Sequence, residues 1–257
     1  MHVRALLGTV LLVAAAPAQT FIVDANNGPG TNFLDIASAV PAVPDGATLL
    51  VRAGSYVGFS ITAKGLAIRG DPNVVVTGSV SVRNTARQQT VELRGLGWTA
   101  APSSTTSMLI LDSCAGLLLL DSLTVPGVLN CAPPGLHCLR GPAVAATSCQ
   151  QILLHWCSIA GNVGLQSSNA VIDGCTLYGE DGVLAYNGGQ YEVANPARTA
   201  LSLGASTVQS ADSFVYGGPS TNLGHGLVFL GAPGVDMSGA NLRLLSGQVT
   251  EGSVFPA

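Results

Sequence analysis

The sequence predicts an all-β chain wound as a solenoid, a parallel β-helix with a short amphipathic helix capping its N-terminal end. Three observations predict it. A six-residue pattern recurs along the chain at uneven intervals, and repeats of about 20 to 50 residues mark a solenoid, a propeller or an array. Hydrophobic residues make up 47% and charged residues 9% of the 257, with 32 Gly and 14 Pro; this suits many short strands joined by tight turns and disfavours a helical bundle or a charged disordered tail. One helical stripe near the N-terminus is followed directly by strand-like segments.

The elements follow in chain order. His2 and Arg4 precede an uncharged run from Ala5 to Ala16, and Ala16-Pro17-Ala18 places small residues where a signal peptidase reads them. The expectation is a signal peptide over residues 1–18 and one exported domain over 19–257, without a membrane span, because the run is shorter than the roughly 20 apolar residues a spanning helix needs. After Asp24 and the Gly28-Pro29-Gly30 turn, Asn32 stands as helix cap with Asp35 three residues on. Phe33, Ile36, Ala37 and Val40 then form one apolar stripe. Pro41 and Pro44 end the helix, and Pro44-Asp45-Gly46 turns into a strand from Thr48. That helix lies where the open strand edges of a first coil need a lid.

The repeat reads LRGLGW from Leu93, LDSLTV from Leu120, LHWCSI from Leu154, IDGCTL from Ile172, LGASTV from Leu203 and MSGANL from Met237, with IRGDPN from Ile68 as a degenerate earlier copy. The start positions fall 27, 34, 18, 31 and 34 residues apart. Propeller blades hold their period, whereas the coils of a β-helix accept insertions of different length. Equivalent residues of successive coils then stack about 4.8 Å apart. The aliphatic first position is expected to form one buried file, since a single coil cannot hide its apolar edge from water.

The run from Gly28 to Asp71, GPGTNFLDIASAVPAVPDGATLLVRAGSYVGFSITAKGLAIRGD, with its Gly54-Ser55-Tyr56 turn and its strand from Gly65 to Gly70, resembles the N-terminal cap and first coils of the pectin-lyase-like superfamily. The resemblance covers about residues 21–83. It implies a right-handed parallel β-helix, and a superfamily of pectate lyases, polygalacturonases, pectin methylesterases and exported proteins without a known reaction. The calcium-dependent lyases of that group hold their metal in an Asp cluster beside an Arg that takes a proton, and the methylesterases need two Asp with Gln and Arg. This sequence shows no equivalent of either set.

Chemistry must therefore come from particular residues. The second position of the repeat reads Arg94, Asp121, His155, Asp173, Gly204 and Ser238. In register, Asp121, His155 and Asp173 make a carboxylate–imidazole–carboxylate row able to orient a proton shuttle or ligate a metal. The plain alternative is a solvated column whose charges pair across strands. A second set resembles the polygalacturonase arrangement: Glu180 and Asp181 between Gly179 and Gly182, His225 between Gly224 and Gly226, and Arg243. Two carboxylates about 6.5–9.5 Å apart suit an inverting hydrolase. The preceding Asn-Thr-Asp motif is absent, and Glu180 stands where that arrangement has Asp.

Trp98 and Trp156 are read as core residues at coil corners, with exposed sugar platforms as the alternative. Tyr178, Tyr186 and Tyr191 gather around a loop containing Asn187-Gly188-Gly189, a candidate sugar-contacting edge or a plain long turn. Six cysteines in an exported chain suggest disulfides, in 15 possible complete pairings; Cys131 and Cys138, flanking a Pro-Pro-Gly turn, look like a local staple, and buried free thiols are the alternative. A formal net charge of −4 without a basic block excludes the phosphate-neutralising patch of a nucleic-acid binder. The expected function is binding of extracellular carbohydrate or a surface partner, with no cofactor required. A polysaccharide lyase or inverting glycosidase, with calcium in the lyase case, and a purely structural surface protein are the alternatives.

Overall fold

The computed structural model describes residues 19–99, 107–126, 142–179, 183–187, 190–195, 199–217, 220–221, 234–250 and 254–255, of which 183–187, 190–195, 220–221 and 254–255 are described as backbone alone. The expected signal peptide, Glu180, Asp181, His225, Cys131 and Cys138 lie outside the described residues.

The strands fall into three large parallel sheets of nine, seven and eight strands. The chain visits them in rotation. Leu66–Gly70 lies in the nine-stranded sheet, Val74–Thr77 in the eight-stranded, Val80–Arg83 in the seven-stranded, and Thr90–Arg94 returns to the first beside Leu66–Gly70. Each circuit is one coil, and this is a parallel β-helix.

Three coil-to-coil steps show why the spacing is uneven. Chain leaving the eight-stranded sheet crosses to the seven-stranded sheet in two residues between Ala160 and Val163, but the same corner carries long excursions between Val125 and Val144, Tyr178 and Leu201, and Tyr216 and Val235. Insertions at one corner leave strand register untouched, because the ladders run between coils rather than through that corner.

The inward file of the nine-stranded sheet is the core's spine. Leu49, Ile68, Leu93, Leu120, Leu154 and Ile172 stack rung on rung, and each is at most 1% exposed. Burying each such side chain contributes about 1.5–3 kcal/mol. Ile68 thus belongs to the repeat. Leu203 and Met237 do not join this file: they stack on Leu165 in the seven-stranded sheet, and the spine continues instead through Ser210 and Leu244.

The misplacement has a structural cause. Both corners flanking the nine-stranded sheet are built alike, from a residue with left-handed φ followed by a buried one. After the nine-stranded sheet these are Ser122, Trp156 and Gly174 at φ 54°, 52° and 61°; after the seven-stranded sheet they are Ser148, Ser167 and Ala205 at 54°, 50° and 47°. A motif aligned on such a corner cannot tell which of the two it is on.

The same corners account for the cysteines. A backbone N–H left unpaired by the bend needs a buried acceptor from the next coil. Cys149 donates its N–H to Ser168 Oγ (3.0 Å), Ser168 to Ser206 Oγ (3.0 Å), Cys157 to Cys175 Sγ (3.4 Å) and Cys175 to Ser213 Oγ (3.1 Å). Each accepting side chain passes its own proton to a carbonyl two residues back, as Cys175 does to Asp173. Cysteine here stands in for serine. The disulfide expectation is corrected for the four described cysteines: Cys114, Cys149, Cys157 and Cys175 are buried free thiols. The hydrogen bond with the stacked Cys114 or Cys175, reinforced by burial, holds Cys149 and Cys157 far above the ordinary thiol range, so both stay protonated.

The helix runs Ile36–Ala42, starting later than the sequence suggests. Asp35, not Asn32, is its cap, accepting from Ala37 N at 3.2 Å, while Asn32 Oδ1 instead accepts from Ile22 N. Pro41 lies inside it rather than ending it, with Lys64 Nζ donating to the carbonyls of Val40 (2.8 Å) and Val43 (2.7 Å) at its C-terminal end. Ile36, Ala39 and Val40 are buried, and the helix touches Gly54–Val57 and Ser60–Thr62, the outermost strands of the eight- and seven-stranded sheets. No helix among the described residues is long and apolar enough to cross a membrane.

Candidate functional site

Alternation along a strand sends every second side chain outward, so five-residue strands give the nine-stranded sheet three outward columns. The first runs Thr90, Leu117, Gln151, Asn169 and Thr207; the second Glu92, Leu119, Leu153, Val171 and Gln209; the third Arg69, Arg94, Asp121, His155, Asp173 and Ala211. Polar columns therefore border a largely apolar middle. From His155 to Gln151 the strip is about 13 Å wide, at roughly 3.3 Å per residue.

The third column brings together the residues expected from the repeat. Arg94 Nε lies 3.1 Å from Asp121 Oδ2, His155 Nδ1 3.1 Å from Asp121 Oδ1, and His155 Nε2 3.8 Å from Asp173 Oδ2. Asp121 also accepts from Ser122 Oγ at 3.0 Å. Its side chain is 13% exposed, whereas Arg94, His155 and Asp173 are 57%, 39% and 42% exposed. One carboxylate thus anchors the row and the other faces solvent. Gly204 and Ser238, placed in this column by the repeat, stack on Gln166 in the seven-stranded sheet instead. Upstream, Arg69 pairs with Glu92 through Nε (3.0 Å) and Nη2 (2.8 Å).

An ionised carboxylate only accepts, so Nδ1 of His155 carries the proton shared with Asp121. In the neutral ring Nε2 then presents its lone pair beside Asp173. The 3.8 Å gap is too long for a direct hydrogen bond, but a water or sugar hydroxyl seated there meets both acceptors. An imidazole held this way can act as an oriented base. Among the described residues no three His, Cys, Asp or Glu side chains are placed to hold a metal ion.

Trp156 is the largest departure from the sequence reading. Its left-handed corner turns the side chain outward, and it is 68% exposed, not core. The indole sits against Gly174, where an added Cβ would come 3.3 Å from Nε1, and its ring is 5.8 Å from that of His155, edge to face. Trp98 is 5% exposed and does belong to the core. Tyr178 is 44% exposed and stacks on Tyr216, with ring centroids 5.3 Å apart. Tyr186 and Tyr191 are register partners in an antiparallel ladder of Val183–Asn187 with Gln190–Asn195, while Gly188 and Gly189 of the expected loop lie outside the described residues. Sequence reasoning missed Gln151 and Asn169, four residues before His155 and Asp173; the signal was the shared amide at a fixed offset from the repeat.

No family model and no curated protein matches the chain. Among solved structures, it is similar to the pectin methylesterase from Aspergillus niger, at 12% identity over 91% of this chain and 87% of that one, TM-score 0.33. It is also similar to a pectate lyase, at 11% identity over 91% and 79%, TM-score 0.33.

Proposed function

We propose that the outer face of the nine-stranded sheet binds an extracellular polysaccharide, in a protein exported by cleavage of residues 1–18. The observation that carries this reading is the exposed Trp156, which flanks the in-register row Arg94, Asp121, His155 and Asp173 beside His155. An indole offers a flat apolar surface to the C–H face of a sugar ring, and the adjoining charged groups offer hydrogen bonds to its hydroxyls. The helix Ile36–Ala42, set against the first strands of two sheets, serves as the N-terminal lid.

Titrating the protein with a panel of polysaccharides while following tryptophan fluorescence tests the reading. Binding should perturb the emission, and Trp156→Ala should weaken it at least tenfold, about 1.4 kcal/mol, while leaving the melting temperature unchanged. Binding unaffected by Trp156→Ala would remove the reading.

A second reading, cleavage of the bound chain, has its own support in the Asp121–His155–Asp173 geometry. Its expected signature is release of reducing ends that Asp173→Asn and His155→Ala each reduce by 10²-fold or more, with carbohydrate binding retained. As a hydrolase it calls for no cofactor; comparing activity with and without added calcium tests the lyase form.

A further inference from the structure

We infer that the depression between the first and second outward columns of the nine-stranded sheet is a subsite for an uncharged sugar ring, so that the polysaccharide bound by this face is neutral rather than a polyuronate. This rests on the carbohydrate reading above and specifies its substrate class.

The depression encloses about 380 Å³, within the usual range for a small-molecule site. It is lined on one side by Gln151, Asn169 and Thr207 of the first column and on the other by Leu153, Val171 and Gln209 of the second. Gln151, Asn169, Thr207 and Gln209 are exposed, and Val171 is 42% exposed. Amides and hydroxyls both donate and accept, as sugar hydroxyls do, so each matches a hydroxyl whichever way its proton points. Leu153 and Val171 offer an apolar surface to the C–H face of the ring. Among the described residues no charged side chain lines the space.

That last feature sets the class. A uronate carboxylate entering this space would give up water for amides and aliphatic carbons without a cation to meet it, a penalty a neutral ring does not incur. The nearest charged rungs in the middle column are Glu92, beyond Leu119, and Arg243, beyond Gln209. Glu92 repels a carboxylate and is already paired with Arg69. Along each strand, Leu153 lies between Gln151 and His155, and Val171 between Asn169 and Asp173. A chain that runs from the subsite along the strand direction crosses the charged row and reaches Trp156.

The test is calorimetric titration of the protein with gluco-, manno-, galacto- and xylo-oligosaccharides and with oligogalacturonate of matched length. At least one neutral series should bind tenfold or more tighter than oligogalacturonate. The double variant Gln151→Ala/Asn169→Ala should weaken that binding at least tenfold without changing the melting temperature, and Arg243→Gln should leave it unchanged. Oligogalacturonate binding as tightly as the best neutral sugar would overturn the inference. So would collapse of binding in Arg243→Gln, or a double variant that binds normally. If Trp156→Ala still abolishes binding in those cases, the wider carbohydrate reading survives; if no sugar binds the unaltered protein, both fall.

Discussion

Ser210 occupies the rung of the spine between Ile172 and Leu244. It is 2% exposed, and its hydroxyl has no hydrogen-bond partner among the described residues. A buried unpaired polar group costs about 1–3 kcal/mol. Replacing it with alanine removes the hydroxyl and opens little space, so Ser210→Ala should raise stability by about 1 kcal/mol in denaturant unfolding, with the slope unchanged. A loss of stability would mean that Ser210 has a partner. The corner serines behave oppositely: Ser168 and Ser206 each accept a backbone N–H from the neighbouring coil. Identical residues a few positions apart thus carry opposite signs, and only their partners distinguish them.

At the scale of elements, the loop entering the helix is held by Asp24. Its carboxylate accepts from Asn26 N (2.8 Å), Gly28 N (3.0 Å) and Arg52 Nη1 (3.0 Å). The backbone donor at Asn26 is the largest influence, and the Arg52 and Gly28 hydrogen bonds add to it. Together they outweigh desolvation and hold Asp24 below its ordinary pKa of 3.8. A depressed folded value contributes stability above the unfolded pKa and loses it as pH falls through the folded one. The melting-temperature gap between the native protein and Asp24→Asn should therefore be full at neutral pH and narrow below about pH 3.8. A gap constant down to pH 2 would place the contribution elsewhere. The helix itself depends on Asp35, and Asp35→Ala should cost about 1 kcal/mol by chemical denaturation, the usual loss for an N-cap.

Across the whole molecule, coils contact their neighbours and little else, so stability is close to a sum of coil and interface contributions. Tolerance to insertion should then follow the corners. Four residues added between Gly161 and Asn162, at the corner that elsewhere accepts long excursions, should cost under about 1 kcal/mol, since loop closure grows slowly with length. The same four between Gly174 and Cys175 would separate a left-handed bend from the thiol that accepts the Cys157 N–H, and that variant should lose cooperative melting. Equal behaviour of the two insertions would contradict the distinction between corners.

Much of this was legible in the chain itself. Aliphatic periodicity, Gly-rich turns and irregular spacing determined a stacked-coil fold, the spine from Ile68 to Ile172, and the column holding Arg94, Asp121, His155 and Asp173. Strand alternation makes such patterns local, and local patterns can be read in one dimension. Tertiary structure alone decided the rest. It separated two corners with the same chemistry, moving Leu203 and Met237 to another sheet. It assigned cysteine thiols to backbone N–H groups rather than to each other. It turned Trp156 outward, because one residue with left-handed φ reverses where a side chain points. Those outcomes depend on which coil lies beside which, a relation between residues tens of positions apart that only the folded ladder establishes.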